Sequence, residues 1–207
     1  MWFDIFSPVP VVERPDLVAP VVRDGLHHIP EALVFEIDPS LSDTDTLCET
    51  YDLPLDPMGN AVLVTGRRNG EERRCCCMVL ANRRADINGL VRTRLDVRKA
   101  SFAHMDDAVA SSGMEYGGIT PVGLDETWPV WLDESVRDVD WLCIGSGVRR
   151  SKLIIHGSSL LTLPGAQLVP GLTTALTGVV SRHNDGIFRL GTERVSVPGS
   201  DRIRRNG

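Results

Sequence analysis

One stretch constrains this chain more than any other: Gly113-Met114-Glu115-Tyr116-Gly117-Gly118-Ile119-Thr120-Pro121-Val122-Gly123. Its four glycines permit positive φ and close approach by another chain or a ligand. Pro121 fixes its own φ and pushes Thr120 toward an extended conformation. The stretch reads as a rigid loop with exposed backbone N–H groups, suited to a carbonyl or carboxylate; a plain two-turn connection is the alternative. A second small-residue loop, Gly145-Ser146-Gly147, adjoins another apolar run. Together the two predict one pocket lined with backbone donors, the arrangement that holds an acyl carbonyl or its oxyanion.

The patterning around these loops sets the fold class. Spaced apolar residues predict a helix over 14–25, despite Pro20, and Ala32 to Ile37 reads as a strand. Ser42-Asp43-Thr44 offers caps for a helix from Thr44 to Tyr51. Asn60 to Thr65 and Arg73 to Leu80 are strands joined through Asn69-Gly70, because both residues of such a pair tolerate positive φ. Asp86 caps a helix carrying Ile87, Leu90, Val91 and Leu95, which Gly89 weakens. A strand follows from Ala100 to His104, then a helix capped by Asp106 and closed by Gly113. Strands are expected over 128–132, 140–144 and 152–156, with Ser158 and Ser159 capping a last short helix to Leu163. Three strands in succession do not alternate as in a doubly wound protein. The expectation is an α+β fold: a curved mixed sheet or partial barrel with flanking helices. Its organisation is an N-terminal arm and helix (1–30), a central domain (31–165) and a C-terminal extension (166–207), with a hairpin over 187–197 and a mobile tail from Asp201.

A chain of 207 residues with 42% hydrophobic and 24% charged residues suits one well-cored soluble domain with extensions. A net charge of -6 argues against coating nucleic acid through a broad basic surface. The basic residues are nearly all arginine and come in pairs, among them Arg149-Arg150, whose forked donors suit phosphate. Five cysteines include three consecutive ones, Cys75 to Cys77. Neighbours on a strand face opposite ways and cannot converge on one metal, so free thiols in a reducing compartment are expected, and no metal. The first residues lack the basic start and long apolar core of a signal peptide, and no apolar run approaches a membrane span.

No phosphate-binding loop, dinucleotide fingerprint, His-Glu-x-x-His or Gly-x-Ser-x-Gly occurs. His156, ending a strand, could position a water or sense a carboxyl group; a hydrogen-bonded strand end is the other reading. His183-Asn184-Asp185 reads as a turn.

From about Asn60 to Leu163 the chain resembles the YbaK/prolyl-tRNA-editing family. The hairpin, the acidic residue at Asp86, Gly117-Gly118-Ile119-Thr120-Pro121 with Gly123, Pro129-Val130-Trp131-Leu132-Asp133 and Ile144-Gly145-Ser146-Gly147 follow that family's order. The resemblance implies trans-acting hydrolysis of mischarged aminoacyl-tRNA in the cytoplasm, with no cofactor and with aminoacyl-tRNA, and potentially a synthetase, as partner. It implies an amino-acid pocket between the two loops, lined by Gly117, Ile119, Thr120, Pro121, Gly145, Ser146 and Gly147. The Gly118 N–H would polarise the ester carbonyl, with Asn60 and His156 as the reactive polar side chains and Arg149 and Arg150 at the tRNA rim. The family places a lysine where this chain has Asn60, and neither Lys99 nor Lys152 stands where it simply substitutes. Many members carry an aspartate where Ser158-Ser159 stand, and a histidine in the region of Asp38-Pro39. A non-catalytic protein of the same fold, binding a small ligand, a tRNA end or a partner protein, is the alternative.

Overall fold

Asn69 and Gly70 take φ of 53° and 87° and close a hairpin between two strands, Gly59–Arg68 and Glu71–Leu80, paired from Gly59↔Leu80 to Arg68↔Glu71. A computed structural model describes residues 1–175. In chain order its elements are β1 (Val9–Pro10), α1 (Pro20–Gly25), β2 (Leu33–Glu36), α2 (Thr44–Tyr51), β3 (Gly59–Arg68), β4 (Glu71–Leu80), β5 (Arg83–Ala85), α3 (Arg92–Arg94), β6 (Ala100–Phe102) and α4 (Met105–Ser112). There follow β7 (Val130–Leu132), α5 (Glu134–Arg137), β8 (Leu142–Gly145), β9 (Ser151–Ile155), β10 (Gln167–Leu168) and β11 (Thr173–Ala175), with short 3-10 turns between elements.

The expected α+β architecture is present. One sheet runs β1-β2-β9-β8, all antiparallel; a mixed one runs β10-β7-β4-β3-β6, parallel at β10-β7-β4; β11 pairs with β5. A bridge between Met58 and Cys143 links the two larger sheets.

Period-two alternation sorts the side chains into layers. Val34, Ile144, Leu153 and Ile155 of the first sheet meet Leu63, Cys76, Met78 and Leu132 of the second in the central core. The outer face of the second sheet buries Cys75, Cys77 and Trp131 beneath Val91 and Leu95. The outer face of the first buries Phe35, Cys143 and Ile154 beneath Leu47 and Cys48 of α2. The three consecutive cysteines therefore enter two different cores, and all five cysteines are buried and free.

Several local expectations change. Pro20 does not interrupt a helix; it is the first residue of α1, where its missing N–H has no helical partner to lose. Asp86 does cap, accepting from the N–H groups of Gly89 and Leu90 at 2.9 and 2.8 Å, but the turn it opens is a wide one, Ile87–Val91. Gly89 does not weaken that turn: a Cβ there would sit 2.8 Å from the Asp86 carboxyl carbon, so the glycine makes room for the cap. Asp106 lies in the first turn of α4, and His104 takes the cap position without a side-chain bond. Asp133 opens a helix missed in the sequence, α5, and neither Ser158 nor Ser159 caps the turn Gly157–Thr162.

The N-terminal arm is paired into the first sheet through Val9↔Val34. Beyond residue 165, β10 and β11 pair into the sheets and Val169 and Leu172 are buried. The hairpin over 187–197, His183-Asn184-Asp185 and the tail from Asp201 lie outside the described residues.

Candidate functional site

The two glycine loops lock together. Gly147 donates its N–H to the Gly118 carbonyl at 2.7 Å, and Glu115 donates to the Gly147 carbonyl at 2.9 Å. A Cβ on Gly118 would lie 2.6 Å from the Val148 carbonyl carbon, and one on Gly145 would lie 2.5 Å from the Ile119 oxygen. Glycine at 118 and 145 thus lets backbone rest on backbone. The expected pairing of the loops is present, but as direct packing rather than as two facing walls.

This packing fixes which groups remain available. The Gly118 N–H is used, donating to Glu115 at 2.9 Å, and so does not stand free to polarise a carbonyl. Gly117 is exposed at φ 89°, and its N–H donates to no group among the described residues. Ile119 is half-buried; Thr120 and Pro121 are buried, and the Thr120 hydroxyl has no hydrogen-bond partner among the described residues.

A third segment crosses this region. The Ser42 hydroxyl lies 2.9 Å from where a Gly117 Cβ would stand. The Thr44 hydroxyl donates to Asn60 Oδ1 at 2.8 Å, which orients the amide and leaves its NH2 without a partner among the described residues. Arg149 spans both sides, its guanidinium donating to the Tyr116 and Pro39 carbonyls at 3.1 Å each and its backbone N–H to the Glu115 carboxylate at 2.7 Å. Asp43 between them caps α2, accepting from Asp45 and Thr46.

Lys152 completes the cluster. It lies on β9 opposite Gly145, is 6% exposed, and donates from Nζ to the Ser42 carbonyl at 2.6 Å. Burial holds its pKa below the usual lysine value. Burial likewise pushes the nearby Cys143 thiol up to about 12 and Cys48 up to about 11. The Ser42–Thr44 segment bonds to both Lys152 and Asn60, through the Ser42 carbonyl and the Thr44 hydroxyl.

The remaining expected residues sit elsewhere or are engaged. Ser146 is fully buried, its one proton shared among Val148 O, Ser151 O and Ser151 Oγ at 3.2, 3.0 and 2.8 Å; it ties the loop to β9. His156 is at the far end of β9, about 13 Å along the strand from Lys152 at roughly 3.3 Å per residue. Its ring packs on Trp141 at 4.1 Å and its Nδ1 meets the Asp140 carbonyl at 2.5 Å, the strand-end reading. Arg150 is turned to Asp16, with its guanidinium 3.7 Å from the carboxylate. Two open surface clefts share no residue with the loops: one of about 380 Å³ beside Phe6, Arg14 and Glu36, one of about 650 Å³ beside Arg73, Arg74, Arg94 and Trp131. Among the described residues no three His, Cys, Asp or Glu side chains are grouped to hold a metal, and no helix is long and apolar enough to cross a membrane.

The sequence marks Ser42 and Thr44 only as capping candidates, and it sets Lys152 apart from the family's lysine position. The available signal was its setting: a lysine within Ser151-Lys152-Leu153-Ile154-Ile155 has to point into one of two buried faces.

The model of the aminoacyl-tRNA editing domain matches residues 38–163, more than half of the chain. The chain belongs to this family. The match begins at Asp38 and so includes Ser42, Thr44 and Lys152 with both glycine loops. The editing-domain chain is 19% identical over 123 residues to EbsC of Enterococcus faecalis (strain ATCC 700802 / V583), named as a candidate Cys-tRNA(Pro)/Cys-tRNA(Cys) deacylase, covering 59% of this chain and 73% of that one. A crystal structure described as a candidate trans-editing enzyme for prolyl-tRNA synthetase superposes with a TM-score of 0.61 at 19% identity, covering 74% of this chain and 97% of that one. The protein APE2540 superposes with a TM-score of 0.58 at 14% identity over 68% and 90% of the two chains. These likenesses show the fold.

Proposed function

We propose that this protein hydrolyses the ester of mischarged aminoacyl-tRNA in trans. The observation that carries the reading is the editing-domain match over 38–163, whose two interlocked glycine loops connect to Asn60 through the Ser42–Thr44 segment. The EbsC relative, named for Cys-tRNA deacylation, agrees with it. In this reading the exposed Gly117 N–H and the Asn60 amide face the acyl group, taking the roles expected of Gly118 and His156. A water attacks the acyl carbon, the bond to the terminal ribose oxygen breaks, and that oxygen leaves with a proton as the free hydroxyl. Donors already in place for the developing oxyanion are worth on the order of 10²-fold or more each. Aminoacyl-tRNA is the substrate, a synthetase is a potential partner, and the cytoplasm is the site of action.

The test is to mix purified protein at micromolar concentration with a panel of mischarged tRNAs and follow release of the amino acid. Accelerated release from at least one is expected; no acceleration over buffer with any would overturn the reading. Asn60 in the lysine position favours the second reading, a non-catalytic binder. If native protein is inactive and Asn60→Lys creates deacylation, that second reading holds.

A further inference from the structure

We propose that Lys152 supplies the cation of the editing site, entering from β9 on the far side of the Ser42–Thr44 segment instead of from the start of β3. The inference rests on the editing reading and names a residue for that same site.

Strand register brings Lys152 there. Lys152 pairs with Gly145, so its side chain leaves the sheet on the face where a Gly145 Cβ would point. That position is occupied by the Gly118 and Ile119 carbonyls, so the glycine loop covers this end of the sheet. The lysine leaves the sheet on that same face, and its Nζ stops at the Ser42 carbonyl, 2.6 Å away. From Ser42 the segment diverges to the two other polar groups of the site. The Ser42 hydroxyl faces Gly117, and Thr44 holds the Asn60 amide.

The chemistry of the residue argues against a strut. An ammonium carries three donors, and among the described residues Lys152 uses one. No carboxylate among them lies within ion-pair distance of it, and Asp43, the acidic group beside it, is engaged in capping α2. Burying an unpaired charge costs several kcal/mol, and methionine or leucine would fill the same space without that cost. A buried cation with spare donors, one bond from the segment that meets both Gly117 and Asn60, brings positive potential toward the place where negative charge develops during ester hydrolysis. We assign it as a positioning and electrostatic residue acting across the Ser42–Thr44 segment. Asn60 and Lys152 together then do what a single lysine on β3 does elsewhere in the family.

The experiment compares wild type, Lys152→Met, Lys152→Arg and the double variant Asn60→Lys/Lys152→Met in three measurements: thermal melting, steady-state deacylation of the best mischarged tRNA, and binding of a non-hydrolysable 3′-aminoacylamido-adenosine. Lys152→Met is expected to stay folded and to lose on the order of 10²-fold in kcat, the scale of one lost oxyanion donor, with KM changed far less. Lys152→Arg is expected to retain part of the rate, and the double variant to recover at least about tenfold over Lys152→Met. A folded Lys152→Met with unchanged kcat, or a folded double variant with no recovery, overturns the assignment. Were wild type to hydrolyse no mischarged tRNA, the editing reading would fall and the Lys152 assignment with it; analogue binding weakened in Lys152→Met as strongly as kcat would mark a ground-state role and also overturn it.

Discussion

The Gly147 N–H donates to the Gly118 carbonyl at 2.7 Å, and this bond turns two separate glycine loops into one structural unit. Its geometry requires that nothing project from Gly118 or Gly145. Gly145→Ala would press a methyl carbon 2.5 Å from the Ile119 oxygen, and Gly118→Ala would place one 2.6 Å from the Val148 carbonyl carbon. Backbone on both sides leaves no flexible neighbour to yield. Each substitution is expected to cost about 1–3 kcal/mol, the range for overpacking, and to abolish deacylation because the loop that carries Gly117 shifts. Urea unfolding of each variant measures the first effect; unchanged midpoints would show that the loops are not packed as described.

Asp86 and Gly89 form a coupled pair. The carboxylate accepts from two N–H groups of the turn it opens, and the glycine leaves space for it. Asp86→Ala should cost about 0.5–2 kcal/mol as a lost cap. Gly89→Ala should destabilise the wild type by displacing that carboxylate. In an Asp86→Ala background the same change should turn neutral or favourable, since alanine outranks glycine within a helix by about 1 kcal/mol. A double-mutant cycle with no coupling would refute the pairing.

That pair shows where sequence reading succeeds and where it stops. Hairpin closure at Asn69-Gly70, the limits of α2 and the layers made by alternating strands follow from local chemistry, and all were legible. Gly89 carries a second meaning, room for a carboxylate three residues back, that a propensity scale does not contain. The site was half legible for a related reason. Loop composition revealed both glycine loops, but that the Gly118 N–H is spent on Glu115 depends on how the loop turns. Lys152 and Asn60 are connected through bonds to a third segment, Ser42–Thr44, and a link of that kind arises from tertiary packing rather than from local sequence. His156 and Ser146 were singled out for residue type, and type does not reveal the Trp141 ring or the Ser151 hydroxyl that engage them.

The cysteines give a test of the core. All five are buried and free, and the hydrogen bond with the Cys77 thiol, together with burial, pushes Cys75 far above the ordinary thiol range. Burial shields all five from the reagent, so the native protein should react with Ellman's reagent slowly at every cysteine. After unfolding in guanidinium all five should react. Rapid labelling of Cys75, Cys76 or Cys77 in the native protein would contradict their layer assignment.

Lys152 makes a prediction about pH that is independent of catalysis. Burial lowers its folded pKa, while the unfolded chain keeps the ordinary lysine value of 10.5. Between those two values the unfolded state binds more protons than the folded one, so stability gains from this residue as pH rises through that window. Below the folded pKa the penalty of burying the ammonium is present in full. Cys48 and Cys143, whose raised thiol pKa values act in the opposite sense at alkaline pH, remain in both wild type and Lys152→Met. The difference in unfolding free energy between the two proteins therefore reports mainly on the lysine. Wild type is expected to gain on Lys152→Met as pH rises through the window between the lowered folded pKa and 10.5, measured by urea unfolding at each pH. A difference that stays flat or falls across that range would mean that the ammonium is not held away from water as the 2.6 Å bond to Ser42 describes.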